Sequence, residues 1–491
     1  MTTPATEAPS PTGTPARERR SAPVLVVGGA ILAAALAVMF VPGMSREMIG
    51  VCAIAAMLVL IFLNMHIGLA LALPAMAGLV AVSGPLALEN VLLTLPYDSV
   101  AEWTMSVIPM FVFMGLLLWR SGITEQLYDA GKQWLSWLPG GLGVGTTAAG
   151  AGLSAVSGST AGTTYALARI GIPEMLKAGY HKRMAIGSVI VAGLPGQLVP
   201  PSILLVVYAG ISESPIGPQL LAGIVPGILI AVICAATLVG LALLRPSLVG
   251  TGRARPRTSW AERGRTLRVV WPVPALIAIV IGGMFGGIFT ATEAGAAGAL
   301  GALLLTLWKR RGDGAVRAVG QAAIGTLAAV GTIFFLLLGA EVLTRLLAVT
   351  RIASVFTDWV VSAGLGATGF LLLMIVVYLA LGTFLEGMAL LLLTVPVLLP
   401  TLEALDISVL WFGVFAVFMG ELAVITPPVG IVAFIIAGIV RDPEVSQGQK
   451  ITIGDVFMAA LFFLPLCIAY AILLILVPDI ATWLPSLGNA S

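Results

Sequence analysis

Six hydroxyl side chains lie within eleven residues of one apolar stretch: Ser154, Ser157, Ser159, Thr160, Thr163 and Thr164. Hydroxyl and carbonyl oxygens are the ligands that hard cations prefer, so this stretch is a candidate for ion coordination. Small residues of these types also let membrane helices pack closely, which is the purely structural interpretation. The chemical interpretation is favoured because a second irregular stretch, Gly193 to Ser202, follows the cluster.

Gly193 to Ser202 contains two glycines and three prolines within apolar sequence. A backbone group without a hydrogen-bond partner is costly in lipid, so broken backbone is tolerated only where protein or a water-filled cavity covers it. We therefore predict a re-entrant helical hairpin with its tip at the hydroxyl cluster, followed by a helix that is interrupted between Pro195 and Pro201. Such a break frees carbonyl oxygens that a cation can satisfy.

The second half of the chain repeats this pair of features. Residues 382–387 correspond to the first tip, and residues 420–430 correspond to the first break. An offset of 227 positions aligns Pro200-Pro201 with Pro427-Pro428, and tip and break are 43 positions apart in both halves. Paired Gly/Pro-interrupted segments in two halves of a membrane protein are the best sequence indication of a transporter's binding site.

The composition is that of a polytopic membrane protein. The chain has 491 residues, of which 59% are hydrophobic and 10% charged, whereas soluble domains are about 25% charged. The three cysteines lie far apart in apolar runs and show no metal-binding or redox spacing. No acid–base or metal constellation is evident, so neither an enzyme nor an organic cofactor is predicted. The one strongly basic run, 245–268, is short and joins two spans, which argues against nucleic-acid binding.

We predict an all-α fold of two inverted repeats, each with an interface helix, a re-entrant hairpin and a broken helix. The predicted segments are a disordered cytoplasmic tail (1–22), an extra transmembrane helix (23–44), the first repeat (45–244), a basic cytoplasmic loop (245–268), the second repeat (269–480) and a periplasmic tail (481–491). Within the repeats, the predicted interface helices are 125–138 and 352–362, the hairpins 145–168 and 370–399, and the broken helices 184–210 and 409–438.

Basic residues set the predicted orientation. The loop 245–268 holds seven arginines and should be cytoplasmic by the positive-inside rule. Counting crossings from a cytoplasmic N-terminus also places Arg120, the run 169–183 and Arg441 inside, whereas Arg345 falls outside. The first hairpin then opens to the cytoplasm and the second to the outside, so the two halves are inverted. The C-terminus is predicted to be periplasmic.

Several motifs together resemble the large membrane subunit of TRAP (tripartite ATP-independent periplasmic) transporters, the DctM-like family. They are Ser157-Gly158-Ser159, Ala168-Arg169-Ile170-Gly171-Ile172-Pro173-Glu174-Met175, Pro200-Pro201-Ser202, Gly287-Ile288-Phe289-Thr290-Ala291-Thr292-Glu293-Ala294 and Thr426-Pro427-Pro428-Val429-Gly430. The resemblance covers roughly Ile49 to Pro485. Two departures are mild: Ala291 replaces a usual proline, and Glu386 stands where an aspartate is common.

The resemblance implies an elevator-type, ion-transporter-superfamily-like secondary transporter in the bacterial inner membrane. It implies coupling to Na⁺, with two ions expected, and uptake of an organic acid. It also implies two protein partners, a small four-helix membrane subunit and a periplasmic substrate-binding protein. Because this chain has no room for the small subunit, we expect that subunit to be a separate polypeptide. A stand-alone ion-coupled carrier or antiporter of related architecture is the alternative.

Each predicted Na⁺ site pairs a tip with its own break. The predicted Na⁺ ligands are Ser154, Ser157, Gly158, Gly193, Gly196 and Pro200 in the first half, and Gly382, Thr383, Gly387, Gly420, Thr426 and Pro427 in the second. The substrate is predicted to lie between the tips, in contact with Ser159, Thr160, Thr163, Arg169 and Glu386. For Arg169, anchoring of the hairpin base at the membrane interface is the competing interpretation.

Two glutamates lie inside apolar runs, where a charge is expensive and by default functional. Glu386 and Glu421 are each a candidate cation ligand, proton carrier or half of a structural ion pair. Glu293 has a simpler explanation, because the spacing from Thr290 to Glu293 predicts a capping box at the start of a helix.

Overall fold

The computed structural model describes residues 22–158, 160–250, 259–311, 314–427 and 430–488. The predicted tail 1–22, apart from its last residue, lies outside this part of the chain, as do Ser159 and residues 251–258 of the basic loop 245–268. Residues 489–491 of the predicted C-terminal tail are outside it as well.

The described residues form α-helices joined by short turns, and no β-strand is found among them. The helices are α1 Ala22–Met39, α2 Arg46–Phe62, α3 Ile67–Ser83, α4 Pro85–Ala101, α5 Val107–Arg120, α6 Ile123–Leu135, α7 Gly141–Ser157, α8 Thr160–Lys177, α9 Lys182–Ala192, α10 Ile203–Ile211, α11 Ile216–Leu244, α12 Trp260–Val270, α13 Pro272–Phe285, α14 Ala291–Lys309, α15 Ala315–Thr350, α16 Ile352–Ser362, α17 Ala367–Gly382, α18 Gly387–Ala404, α19 Val409–Ile425, α20 Ile431–Ile439, α21 Pro443–Ser446, α22 Ile453–Leu476 and α23 Asp479–Gly488.

Six of the described helices are long and apolar enough to cross a membrane, or seven if the bent pair α12 and α13 is one span. About 20 apolar residues are needed to span a bilayer, so several shorter apolar helices must pair across breaks or enter without crossing. The prediction of an all-α polytopic membrane protein is confirmed.

Capping residues explain where several of these helices begin. Thr290 and Glu293 form the predicted capping box at the start of α14, with the Thr290 N–H donating to the Glu293 carboxylate at 2.8 Å. This prediction is confirmed. The same device opens α12, where the Ser259 hydroxyl accepts from the Glu262 N–H and the Ser259 N–H donates to the Glu262 carboxylate. The region predicted as a basic loop therefore contains a helix, and the spacing of Ser259 and Glu262 is the local signal for its start.

The helix bounds of the two halves follow the predicted offset. α8 spans 160–177 and α18 spans 387–404, which differ by 227 at both ends. α9 and α19 begin at Lys182 and Val409, again 227 positions apart. These bounds support two related halves, whereas their inverted orientation in the membrane stays a prediction.

The helices pack in two groups. In one group, α15 packs against α3 and α5, α14 packs against α5 and α13, and α2 packs against α1 and α3. In the other, both hairpins (α7–α8 and α17–α18) pack with the broken helices (α9–α10 and α19–α20) and with α11 and α22. The amphipathic helices α6 and α16 lie against α7 and α18, so each interface helix contacts its own hairpin.

Hydrogen bonds and ion pairs join the two halves of the chain within the second group. The Tyr208 hydroxyl donates to the Val409 carbonyl at 2.6 Å, and the Tyr470 hydroxyl donates to the Pro226 carbonyl at 2.6 Å. Lys182 and Arg183 at the start of α9 pair with Asp455 in the first turn of α22, at 2.7 and 3.1 Å. The group that holds both hairpins is thus built from both halves of the sequence.

Some helices differ from the predicted segments. α4 was not predicted, although Gly84 at φ +83° followed by Pro85 is a common way to start a helix. α15 has 36 residues, well above the roughly 20 that a membrane span needs. α23 lies largely in the segment predicted as a tail.

Candidate functional site

The first break separates α9 from α10. α9 ends at Ala192, a 3₁₀ turn covers Leu194–Gln197, and α10 begins at Ile203 after Ser202, whose hydroxyl accepts from the Leu205 N–H at 3.2 Å. The prolines account for the break because each removes a backbone donor. Pro200 is buried in the bend between the 3₁₀ turn and α10.

The first hairpin tip lies between α7 and α8. α7 ends at Ser157, and Gly158 takes the left-handed conformation at φ +62° that ends many helices. The Gly158 N–H donates to the Ser154 carbonyl at 2.9 Å. A Cβ added at Gly158 would lie 2.5 Å from Ile203 Cδ1, so the tip contacts the start of α10. Ser159 and the side chain of Ser157 lie outside the described part of the chain.

Tip and break of the first half are in direct contact. A Cβ added at Gly196 would lie 2.2 Å from Ser154 Cβ, and one added at Gly193 would lie 2.9 Å from Thr160 Cγ2. Only glycine allows this approach, so the predicted ligand residues Ser154, Gly193 and Gly196 are brought together.

Two hydroxyls near this contact have no hydrogen-bond partner among the described residues. They are Ser154 Oγ and Thr164 Oγ1, both in residues that are fully buried. Buried polar atoms are nearly always paired, so an exception needs an explanation such as a bound ion. Thr163, another predicted site residue, is also buried beside them on α8.

The second half has the same arrangement. α17 ends at Gly382, and a Cβ added there would lie 1.9 Å from Ala423 Cβ. The backbones of Gly387, at the start of α18, and Gly420, within α19, touch: a Cβ added at Gly420 would lie 3.2 Å from Gly387 Cα. The predicted ligands Gly382, Gly387 and Gly420 therefore lie close together, where the second hairpin packs against α19.

The remaining predicted residues of the second half lie on either side of this contact. The Thr383 hydroxyl donates to the Ala380 carbonyl at 2.8 Å, and the Thr426 hydroxyl donates to the Leu422 carbonyl at 2.7 Å. Each hydroxyl keeps oxygen lone pairs that a cation can use. Pro427 follows Thr426 and is half-buried, and Pro428 lies outside the described residues.

Glu386 and Arg169 have different surroundings from the other predicted substrate residues. Glu386 precedes α18 at the second tip and is exposed, beside Phe384, whose ring lies 4.5 Å from that of Phe62. Arg169 lies nine residues beyond Thr160 on α8, about 14 Å along the helix, and its guanidinium stacks on Tyr165 at 5.4 Å. The structure does not bring Arg169 to the tip.

Arg169 instead borders a cleft of about 750 Å³ that Lys177, Asp442 and Glu444 also line. An ion pair lies near the base of the first hairpin, where Lys132 of α6 pairs with Glu174 of α8 at 2.7 Å. Arg169 therefore lies about midway along α8, on a cleft that extends to Lys177 at the end of that helix, and its anchoring role stays a prediction.

Glu421 and Gln197 join Thr160 of the first tip to the second broken helix and to the first break, respectively. Gln197 is not among the predicted site residues. Thr160 Oγ1 donates to Glu421 Oε2 at 2.5 Å, and Gln197 Nε2 donates to Thr160 Oγ1 at 3.2 Å. The sequence predicts three alternative roles for Glu421 and does not single out Gln197. An amide inside an apolar, proline-rich break was the available signal for Gln197.

Comparison with known proteins identifies the family that shares this architecture. A family model described as "Tripartite ATP-independent periplasmic transporter, DctM component" matches residues 54–480. The C4-dicarboxylate TRAP transporter large permease protein DctM of Vibrio cholerae is 29% identical over 419 residues, covering 82% of this chain and 89% of that protein. The ectoine TRAP transporter large permease protein TeaC of Halomonas elongata is 29% identical over 438 residues, covering 89% and 98%.

Among solved structures, the YdaH transporter of Alcanivorax borkumensis has a similar fold. The two structures align with a TM-score of 0.55 at 17% sequence identity, covering 80% of this chain and 89% of the other. At this identity the similarity concerns the fold alone.

Proposed function

Because the chain belongs to the DctM-component family of TRAP transporters, we propose that it carries an organic acid anion across the membrane together with Na⁺. The chain is the large permease subunit of such a transporter, an integral protein of the inner membrane and not an enzyme. Large permeases of this family work with a small membrane subunit and a periplasmic binding protein.

The observation that carries the proposal is the direct contact of each tip with its own break. Gly196 lies against Ser154 in the first half, and Gly382 lies against Ala423 in the second. Each contact brings glycines, hydroxyls and interrupted backbone together inside apolar helices. Oxygen-rich, dehydrated sites of this kind suit Na⁺, so we assign one ion to each half.

The helix directions support an anionic substrate between the tips. α8 begins at Thr160 and α18 begins at Gly387, so the N-termini of both helices are at the tips. Helix N-termini carry partial positive charge, and in transporters they face anionic substrate groups. In an elevator mechanism both hairpins and both broken helices move as one body and carry the substrate and the ions across.

Transport by the reconstituted complex tests the proposal. The chain is placed in proteoliposomes with its small subunit and binding protein, and uptake of labelled C4-dicarboxylates, other organic acids and ectoine is measured. An inward Na⁺ gradient should drive uptake of an organic acid, and an equal K⁺ gradient should not. Uptake that is independent of Na⁺ would contradict the coupling, and accumulation of ectoine alone would contradict the substrate class.

The stand-alone carrier remains the second candidate, and omission of partners separates the two. The chain by itself should show little or no uptake, because the binding protein delivers the substrate in a three-component system. Full uptake by the chain alone would favour the stand-alone carrier.

A further inference from the structure

Glu421 is a buried carboxylate that the two ion sites leave unexplained. It lies in α19 with 4% of its surface exposed. The ion pairs of the described residues are elsewhere, between Lys132 and Glu174 and between Asp455 and its two basic partners. No described basic side chain therefore neutralises Glu421, which argues against the structural ion pair among its three candidate roles.

The hydrogen bonds of Glu421 connect the two halves of the site. Its carboxylate accepts from Thr160, the first residue of α8, and Thr160 in turn accepts from Gln197, the last residue of the 3₁₀ turn. All three side chains are buried. A continuous polar link thus runs from the first break through the first tip to the second broken helix.

The residues around Glu421 in sequence contact the second hairpin. Gly420 touches the backbone of Gly387 in one arm, and Ala423 lies against Gly382 in the other. A Cβ added at Gly382 would lie only 1.9 Å from Ala423 Cβ, and one added at Gly420 would lie 3.2 Å from Gly387 Cα. The second hairpin therefore packs directly on the segment of α19 that carries Glu421 and its hydrogen bond to Thr160.

The first half of the chain has no counterpart of Glu421. The offset of 227 places Leu194 at the position that corresponds to Glu421, and Leu194 is fully buried and apolar. The glutamate is thus not required by the shared fold of the two halves. It is a feature of the second half that reaches into the first.

We propose that Glu421 is a positioning residue that couples the two Na⁺ sites, an inference that rests on the proposed function. Na⁺ at the second site fixes the second hairpin against α19, which fixes Glu421 and, through Thr160, orders the first tip. Coupling of this kind is reciprocal, so Na⁺ at the first site also favours binding at the second.

Na⁺ dependence of uptake by the reconstituted complex tests this coupling. The wild type should show a Hill slope above 1. Glu421→Leu installs the residue of the corresponding position, and Thr160→Val removes the hydroxyl with little change in shape. Each should lower the Hill slope towards 1 and raise half-saturating Na⁺ about 5- to 150-fold, the range of typical coupling energies.

Two further variants separate positioning from structure. Glu421→Gln keeps an oxygen acceptor for Thr160 and should retain most of the cooperativity, which a purely electrostatic role would not allow. Thr306→Val removes a buried hydroxyl that donates to the Leu117 carbonyl in the other group of helices, so its Hill slope should be unchanged. The double variant Glu421→Leu/Thr160→Val should be no worse than either single variant, because both remove the same link.

The outcomes distinguish this inference from the proposed function. A wild type without Na⁺ dependence contradicts the function itself. A Na⁺-dependent wild type with a Hill slope of 1, or a slope above 1 that Thr160→Val leaves unchanged, overturns the coupling alone. If Glu421→Leu does not accumulate in the membrane, Thr160→Val decides the question.

Discussion

Ser154 offers a test of ion binding at the scale of one hydroxyl group. Its Oγ is buried without a hydrogen-bond partner among the described residues. Leaving a buried polar group unpaired costs about 1–3 kcal/mol, so removing it should not destabilise the protein without Na⁺. With Na⁺, loss of one ligand should weaken affinity by roughly the same free energy, about 5- to 150-fold. We therefore expect Ser154→Ala to keep its melting temperature in K⁺ and to lose most of the stabilisation by Na⁺.

Ser188→Ala is the matched control for that prediction. Ser188 is also fully buried, but its hydroxyl donates to the Met184 carbonyl at 2.9 Å within α9. Its replacement should lower stability slightly and equally in both salts. Melting curves of the purified chain over a range of Na⁺ concentrations measure both effects. Equal Na⁺ stabilisation of Ser154→Ala and wild type would remove Ser154 from the ion site.

How well the sequence predicts the role of a residue depends on how far away along the chain its partners lie. The capping box of Thr290 and Glu293 was predicted correctly because both partners are local. The partner of Glu421 was not predictable, because Thr160 lies 261 positions away and their contact depends on how α8 and α19 are placed by tertiary packing. The hydroxyl cluster was recognised as a group, but only packing decides which of its members are left unpaired.

At the scale of elements, the contact between each tip and its break depends on glycine. A Cβ at Gly196 or Gly382 would lie 2.2 or 1.9 Å from a neighbouring Cβ, so the helices must separate. Overpacking of this kind costs about 1–3 kcal/mol or more. We expect Gly196→Ala and Gly382→Ala each to lower the melting temperature and to abolish Na⁺-driven uptake.

Gly240→Ala serves as the control for these glycine variants. Gly240 lies in α11, and a Cβ there would meet no atom within 4 Å. Its replacement should be neutral or stabilise the helix by up to about 1 kcal/mol. Normal uptake by Gly196→Ala and Gly382→Ala would show that tip and break need not touch.

The helices were predicted best where proline and glycine mark an interruption clearly. Proline and glycine pairs mark the two broken helices, and the structure breaks α9 from α10 and α19 from α20 within the predicted segments. Helix ends were less predictable, since α8 continues to Lys177, past the predicted hairpin end at 168. That extension lies where Lys132 pairs with Glu174, a tertiary contact that no local signal reveals.

At the scale of the molecule, orientation in the membrane is the prediction to test. The loop before α12 should be cytoplasmic, because its arginines resist translocation. In a background without Cys52, a Ser259→Cys variant should not react with an impermeant thiol reagent in intact cells. Glu213→Cys, exposed between α10 and α11, should react because that turn is predicted to be periplasmic. Labelling of Ser259→Cys from outside would overturn the topology.

The sequence predicts the number and pairing of the repeated features, but not the division of helices into two groups. α3 is almost uniformly apolar, and the charged residues of α15 are only Arg317, Glu341 and Arg345. The two sequences therefore do not indicate which face of each helix meets protein and which meets lipid. The packing of α15 on α3 and α5 emerges only from the structure.

The ion pairs between α9 and α22 bear on how the chain is made. A ribosome that has finished Lys182 and Arg183 must translate more than 270 further codons before Asp455 exists. At about 5–20 residues per second, this takes roughly 14–55 s. During that time the first hairpin and its broken helix sit in the membrane without the partners that later enclose them. The helices must therefore enter the membrane in a different order from the one in which they pack together. A nascent chain that stops before α22 exposes unpaired charges and unpaired backbone groups to membrane proteases.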